Sequence, residues 1–261
     1  FVISLATIPI IFKKDIIDLI KNEGNKQLNA KLDFDDVEIK LLTTFPDFSL
    51  EINQLSVHGE APFNGVPLVS IEKLLVELDL MKILFDGKYE VKKVTLNQPK
   101  FHVKVLEDGT ANYDIYSSDE DGQETIKEDA SSPLVFKIEK YEIIEAHMIY
   151  DDAYYATKIK LENFNHSGSF TMVGENYFLE TNSDAEFLDL SYENVEYFKR
   201  CKLNIIFNGE IEFIGNDIKI IIDKNLTNIN RLRLALDGDF LMRDDDYLIN
   251  LGFGTLDQNF K

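Results

Sequence analysis

The chain has 261 residues, 44% of them apolar and 28% charged, which is the composition of a folded globular protein long enough for a sizeable core, as one large β domain or two smaller units. Its formal net charge of -20 and pI near 4.5 exclude a nucleic-acid partner held by a basic stripe and docking on anionic headgroups through a polybasic face. A single cysteine, Cys201, excludes an intrachain disulfide.

Residues 1–12, "FVISLATIPIIF", are uncharged and largely apolar. A bilayer takes about 20 such residues, so the run is expected to be the end of a longer N-terminal transmembrane helix, the alternative being a buried strand or helix. With no initial methionine, the natural protein is expected to begin upstream. Residues 13–28, "KKDIIDLIKNEGNKQL", place Ile16, Ile17, Leu19, Ile20 and Leu28 on one arc among charges. That spacing predicts an amphipathic helix capping the end of a sheet.

From Asn29 the apolar period changes to two. Leu32 and Phe34 alternate with acids, and Val37, Ile39 and Leu41 alternate with charge. Phe48, Leu50 and Ile52 are followed by Leu55 and Val57, a one-residue slip at Gln54 that predicts a β-bulge. Val69 and Ile71, then Val76, Leu78 and Leu80, continue the pattern, and one helical turn is expected before Gly87. Two strands split by Pro99 follow, the second carrying Phe101, Val103 and Val105 on one side and His102 and Lys104 on the other.

Residues 117–133, "SSDEDGQETIKEDASSP", are acidic, Ser-rich and almost free of apolar side chains, and read as a linker or loop. Ser117, Asp119, Asp121, Gly122 and Glu128 fall at positions 1, 3, 5, 6 and 12 of a calcium loop. The first position is not Asp, however, and no helical pattern flanks the segment, so the solvated linker is preferred. Beyond it alternation resumes to the end of the chain. Gly-Asn, Asn-Gly, Gly-Glu-Asn and Asp-Gly-Asp are expected to mark the turns of an antiparallel meander.

One pattern recurs at an offset of 47: Val91, Lys93, Val94, Leu96, Phe101 and Val103 align with Ile138, Lys140, Tyr141, Ile143, Met148 and Tyr150. Two strands with a shared gap repeat, which suggests a sheet extended by repetition.

Catalytic signatures are missing. His58, His102, His147 and His166 hold no zinc-ligand spacing and have no Cys partner. No Gly-x-Ser-x-Gly or phosphate-cradling loop is present. Asp244 and its neighbours in "RDDDY", 243–247, read as a turn, and Cys201, beside Lys199 and Arg200, has no His or second Cys near it in sequence. Neither an enzyme nor a bound cofactor is expected.

About 15 one-sided strands and one good helix leave a question of burial. A one-sided sheet must cover its apolar face with a second sheet, by closing into a barrel, or by curling into a trough. In a trough that stays open, lipid acyl chains would serve as the cover.

The apolar run, the amphipathic stretch and "LNAKLDFDDVEIKLLTTFPDFSLEINQLSVHG" resemble the N-terminal region of the AsmA-like proteins of Gram-negative bacteria, in the form found in the Bacteroidetes group. "VELDLMKILFDGKYEVKKVTLNQPKFHVKVLEDGTANYDI" resembles the next block of the family, with Tyr113 where many members carry Trp, and "LRLALDGDFLMRDDDYLINLGFGTLDQNFK" resembles a later segment. Family members usually continue further.

The resemblance implies a relative of the chorein-type bridge-like lipid carriers. It implies an inner-membrane anchor through the N-terminal helix, a long periplasmic β-trough with an apolar lining, and a role in phospholipid transport or homeostasis between inner and outer membranes. It carries no catalytic residues. The expected organisation is 1–12 as the end of the membrane helix, 13–28 as the capping helix, 29–116 as the chorein-like start of the trough, 117–133 as the linker, and 134–261 as its continuation. The fold expected is mainly β, an elongated curled antiparallel sheet with few short helices. The lining expected is Val37, Ile39, Leu50, Ile52, Val57, Val76, Leu78, Leu80, Val94, Leu96, Phe101, Val103 and Val105, with phospholipid acyl chains as the guest. The other readings are a β-rich envelope scaffold or outer-membrane assembly factor that binds protein partners without lipid, and an envelope enzyme.

Overall fold

Alternation from Asn29 onward becomes thirteen strands in one curled sheet. The computed structural model describes residues 28–40, 47–59, 61–63, 65–79, 81–82, 91–115, 135–215, 217–243 and 246–255, with positions 13, 14, 17, 18, 21, 22 and 25. The strands are β1 (Ala30–Asp33), β2 (Asp36–Lys40), β3 (Asp47–Gly59), β4 (Pro67–Asp79), β5 (Val91–Asn97), β6 (Lys100–Val105), β7 (Val135–Asp152), β8 (Thr157–Val173), β9 (Asn176–Tyr192), β10 (Val195–Ile214), β11 (Asp217–Ile229), β12 (Leu232–Arg243) and β13 (Asp246–Thr255). The main path runs β1-β3-β4-β5-β7 and then in chain order to β13, with β2 beside β3 and β6 between β4 and β7.

Pairing is antiparallel except at one seam, where β5 and β6 run parallel to β7. Pro99 offers no N–H, and Gln98 sits at φ 49, so β5 and β6 form one line broken at these two residues. The ladder still continues through the break, with Gln98 N donating to Ile144 O and His147 N to Pro99 O. Every partner across the seam differs by 47 positions, from Val91 with Ile138 to Val105 with Asp152. The recurrence in the sequence is therefore the register of two neighbouring strands. Parallel strands need a crossover connection, and the chain between Val105 and Val135 must supply it. The acidic segment 117–133 and the calcium-loop positions Ser117 to Glu128 fall within that stretch, outside the described residues.

The slip at Gln54 sits at φ 55, but the register is kept across it, Asn53 with Lys73 and Leu55 with Ile71, so the expected bulge is instead a place where both strands shift their alternation together. Gln98, Glu145, Asn163, Arg200 and Asn230 also hold positive φ, between 48° and 54°. Polar side chains tie some of these positions to the next strand: Gln98 Nε2 donates to Glu145 Oε2 (2.9 Å), and Asn165 Oδ1, two residues beyond Asn163, accepts from Glu145 N (3.0 Å). The positive-φ residues within the strands shift the alternation by one and return the next apolar side chain to the same side of the sheet, while Asn230 lies in the turn between β11 and β12.

Two predicted turns are strand interior. Asn208–Gly209 lies within the 20-residue β10, at a register shift, and Asp237–Gly238–Asp239 lies within β12. Gly238 has φ 130, and a Cβ there would run into Asn250 O of β13, so glycine is placed for backbone approach inside the sheet. True hairpin turns occur at Gly174–Glu175 and at Glu193–Asn194, the latter with φ 47 and 63, the pair of positive values that suits a right-twisted hairpin. Between β7 and β8, Asp152 accepts from Tyr150 Oη (2.6 Å) and Tyr155 N (2.8 Å), which holds the turn and pushes Tyr150 up to about 12.

The N-terminal positions described between 13 and 25 are helical, and Ile17 packs against the cluster of Phe34, Val37, Ile52, Leu55 and Ile71. Lys21 donates to Asp33 (3.0 Å) and lies over the Phe34 ring, while Asn25 Oδ1 accepts from Leu32 N. These contacts seat an amphipathic segment on the first strands. Leu28, the last apolar residue of the expected helix, is no longer helical. Residues 1–12, most of the expected turn before Gly87, and Leu80 lie outside the described residues. No described helix is long and apolar enough to cross a membrane.

Candidate functional site

Residues paired across a sheet share a face, so the register traces the apolar side chains from strand to strand. One row runs Val37, Ile52, Leu74, Leu96, Ile143, His166, Ser183, Ile205, Thr227 and Leu234. The next runs Ile39, Leu50, Val76, Val94, Tyr141, Gly168, Thr181, Phe207, Asn225, Leu236 and Phe253. A third joins Phe48, Leu78, Val91, Ile138, Phe170 and Leu179. No charged side chain stands in these rows.

The opposite face carries the charges. Glu51 lies between Lys40 (2.6 Å) and Lys73 (2.9 Å), and Glu142 between Lys140 (2.5 Å) and Lys93 (2.8 Å). The hydrogen bond from Lys40 holds Glu51 below the usual carboxylate range, and the one from Lys140 does the same for Glu142. Further along, Asn228 donates to Asn204, and Asn165 to Asp184.

The described strands that pack closely are those hydrogen-bonded to one another; among the described residues no second sheet is formed, and the last strand does not return to close a barrel. Most of the apolar rows are half-buried, while β13 is exposed along its whole length, with Ile249 63% and Phe253 67% accessible. The site is an extended apolar wall rather than a pocket.

A family model described as the AsmA family matches residues 1–181. The chain belongs to the AsmA family. No curated protein and no solved structure matches it. The match ends within β9, and the AsmA-family face continues without interruption through β10 to β13.

The lining residues expected from the sequence divide by burial in this AsmA-family chain. Val37, Ile52, Val57 and Val105 are buried by the protein's own atoms, and the first three belong to the end of the sheet that Ile17 covers or lie next to it. Ile39, Leu50, Val76, Leu78, Val94, Leu96, Phe101 and Val103 are half-buried and keep surface on the face. Leu80 lies outside the described residues. The equivalent side chains of the later strands, among them Tyr141, Phe170, Phe207, Leu236 and Phe253, were passed over, although the same alternation marks each strand that carries them.

Polar side chains interrupt the wall at Thr181, at Thr227, whose Oγ1 donates to Asn225 Oδ1 (2.9 Å), and in one linked group of three. Tyr141 Oη and His166 Nε2 are 3.0 Å apart, and His166 Nδ1 and Ser183 Oγ 2.7 Å. Burial holds the imidazole below its ordinary pKa and pushes the Tyr141 phenol up. A Ser–His contact invites comparison with a nucleophile and its base, but the backbone of these strands is committed to the ladders on both sides. Elsewhere, a depression of about 460 Å³ is bordered by Lys158, Lys160, Lys199, Asp151, Asp189 and Glu196. Most of its charges are paired with one another or with near neighbours, Lys158 with Asp151 and Lys199 with Glu196, while the Arg200 guanidinium lies over the Phe187 ring, which describes a solvated charged surface rather than a reaction centre.

Proposed function

We propose that this chain is a non-enzymatic lipid-binding protein of the Gram-negative envelope, in which phospholipid acyl chains lie against the apolar face of the sheet. The observation that carries this reading is the continuous apolar face, which beyond the end seated under Ile17 has no described helix or second sheet packed on it. An uncovered apolar surface of this extent marks an interaction site, and the sheet's rows offer no charge to a polar guest. Strands of 17 to 20 residues make the wall unusually broad. AsmA-family membership is consistent with envelope lipid transport, with the bulk of the protein in the periplasm, an inner-membrane anchor through residues 1–12 and movement of lipid between inner and outer membranes.

A second reading, a scaffold or outer-membrane assembly factor, is favoured by the apolar side chains of β13, which are exposed on both faces. The two are separated by organic extraction and lipid mass spectrometry on the purified protein. Phospholipid retained in stoichiometric amount through gel filtration supports the carrier; a protein free of lipid that captures a β-strand peptide along β13 supports the scaffold.

A further inference from the structure

The Tyr141–His166–Ser183 group is built into the apolar wall on three adjacent strands. Tyr141 is paired with Gly168, and its ring lies across that residue: a Cβ on Gly168 would meet the Tyr141 hydroxyl at 3.0 Å and Glu180 O closer still. The ring thereby reaches His166, which Phe164 stacks from its other side at 5.9 Å. The rows on either side supply Phe164 and Phe207 but no charged side chain.

Counting hydrogens gives the group a property that its individual members lack. Two hydroxyls and one neutral imidazole bring three donor hydrogens, and the two bonds between them use two. If Tyr141 donates to His166, then His166 donates to Ser183 and the serine O–H is left; in the other tautomer the tyrosine O–H is left. Among the described residues no other hydrogen bond to either hydroxyl is formed. A donor left over on an apolar surface favours any ligand that brings an acceptor oxygen.

Resting on the lipid reading above, we propose that Tyr141, His166 and Ser183 form a hydrogen-bonding station that takes the carbonyl or carboxyl oxygen at the head of an acyl chain. Flanking Phe164, Ile205 and Phe207 receive the hydrocarbon. With no lysine or arginine in the adjoining rows of this face, the station suits an acyl oxygen and not a phosphate.

The test is displacement of a fluorescent acyl-chain probe from the delipidated full chain by hexadecane, methyl palmitate, palmitic acid and a phosphatidylcholine. Wild type should favour methyl palmitate over hexadecane by about fivefold, the worth of one neutral hydrogen bond. The Tyr141→Phe/Ser183→Ala double variant should lose that preference while binding hexadecane as before; Ser167→Ala, on the opposite face, should keep it. A further preference for palmitic acid over methyl palmitate names the free acid as the source, and equal preference for the two esters names the lipid carbonyl. A second reading needs no variant: the carbonyl stretch of carbonyl-13C methyl palmitate should move to lower frequency on binding wild type. A double variant that keeps the preference, an unshifted carbonyl, or conversion of the ester to palmitate overturns the station. A protein that binds no probe at all overturns the lipid reading, and the station with it.

Discussion

Asn163 holds φ 49 inside β8, a conformation that most side chains adopt only at a cost of about 1–2 kcal/mol and that asparagine and glycine tolerate. Asn163→Val should therefore lower stability by about 2 kcal/mol in urea unfolding, with Asn163→Gly near wild type. Equal midpoints for the two would show that the bulge is not what asparagine serves. His166 makes a second prediction at this scale. Burial on the apolar face holds its folded pKa below the ordinary value near 6.5. The unfolded chain then binds more protons than the folded one below about pH 6.5, so the contribution is full above that value and is lost as pH falls through the folded value. Urea midpoints at pH 7.5 and 5.5 should differ in wild type and converge in His166→Phe. A variant with the wild-type difference would assign the slope to other groups.

At the scale of elements, the two ends of the sheet contrast. Near the start, Ile52 is buried in the cluster that Ile17, Leu32 and Leu74 surround. In β13, Ile249 occupies the same kind of inward position but is 63% exposed. Ile52→Ala should cost about 2–5 kcal/mol, and Ile249→Ala no more than about 0.5 kcal/mol. Denaturant midpoints of the two variants decide the matter; a large loss at Ile249 would mean that something covers β13 in solution. The parallel seam belongs to this scale as well. Gln98 bonded to Glu145 aligns one bulge with the next across 47 residues, so the break at Pro99 and the bulge in β7 stay opposite one another.

For the whole molecule, the governing fact is the separation of one apolar face from one charged face. A net charge of -20 makes copies of the chain repel one another. Val103→Asp on the apolar face should cut retained lipid, measured by extraction and mass spectrometry, while Lys104→Asp leaves it near wild type. Because Val103 is half-buried, Phe253→Asp on the exposed β13 is the companion, expected to reduce loading without a change in the denaturant midpoint. Equal loading in all three variants would remove the apolar face from the binding of lipid.

Much of this was legible in the residues themselves. Period-two alternation marks nearly every strand, the slip at Gln54 marks a residue at positive φ where the alternation changes, and the one-sided pattern poses the question of what covers the face. The recurrence at 47 residues was visible too, but as repetition and not as the register of a parallel seam. Alternation states which residues share a face within a strand; it does not state which strand lies beside it, since a slip of one residue reverses every side chain. For the same reason Asn208–Gly209 and Gly238 resemble turns until the neighbouring backbone is in place. Tyr141, His166 and Ser183 lie 25 and 17 positions apart, and nothing local joins them. By itself the sequence determined a β chain with one apolar side to each strand. Only the tertiary structure decided that those sides add up to one continuous wall with a polar station in it, because register is set by pairings between residues far apart in the chain.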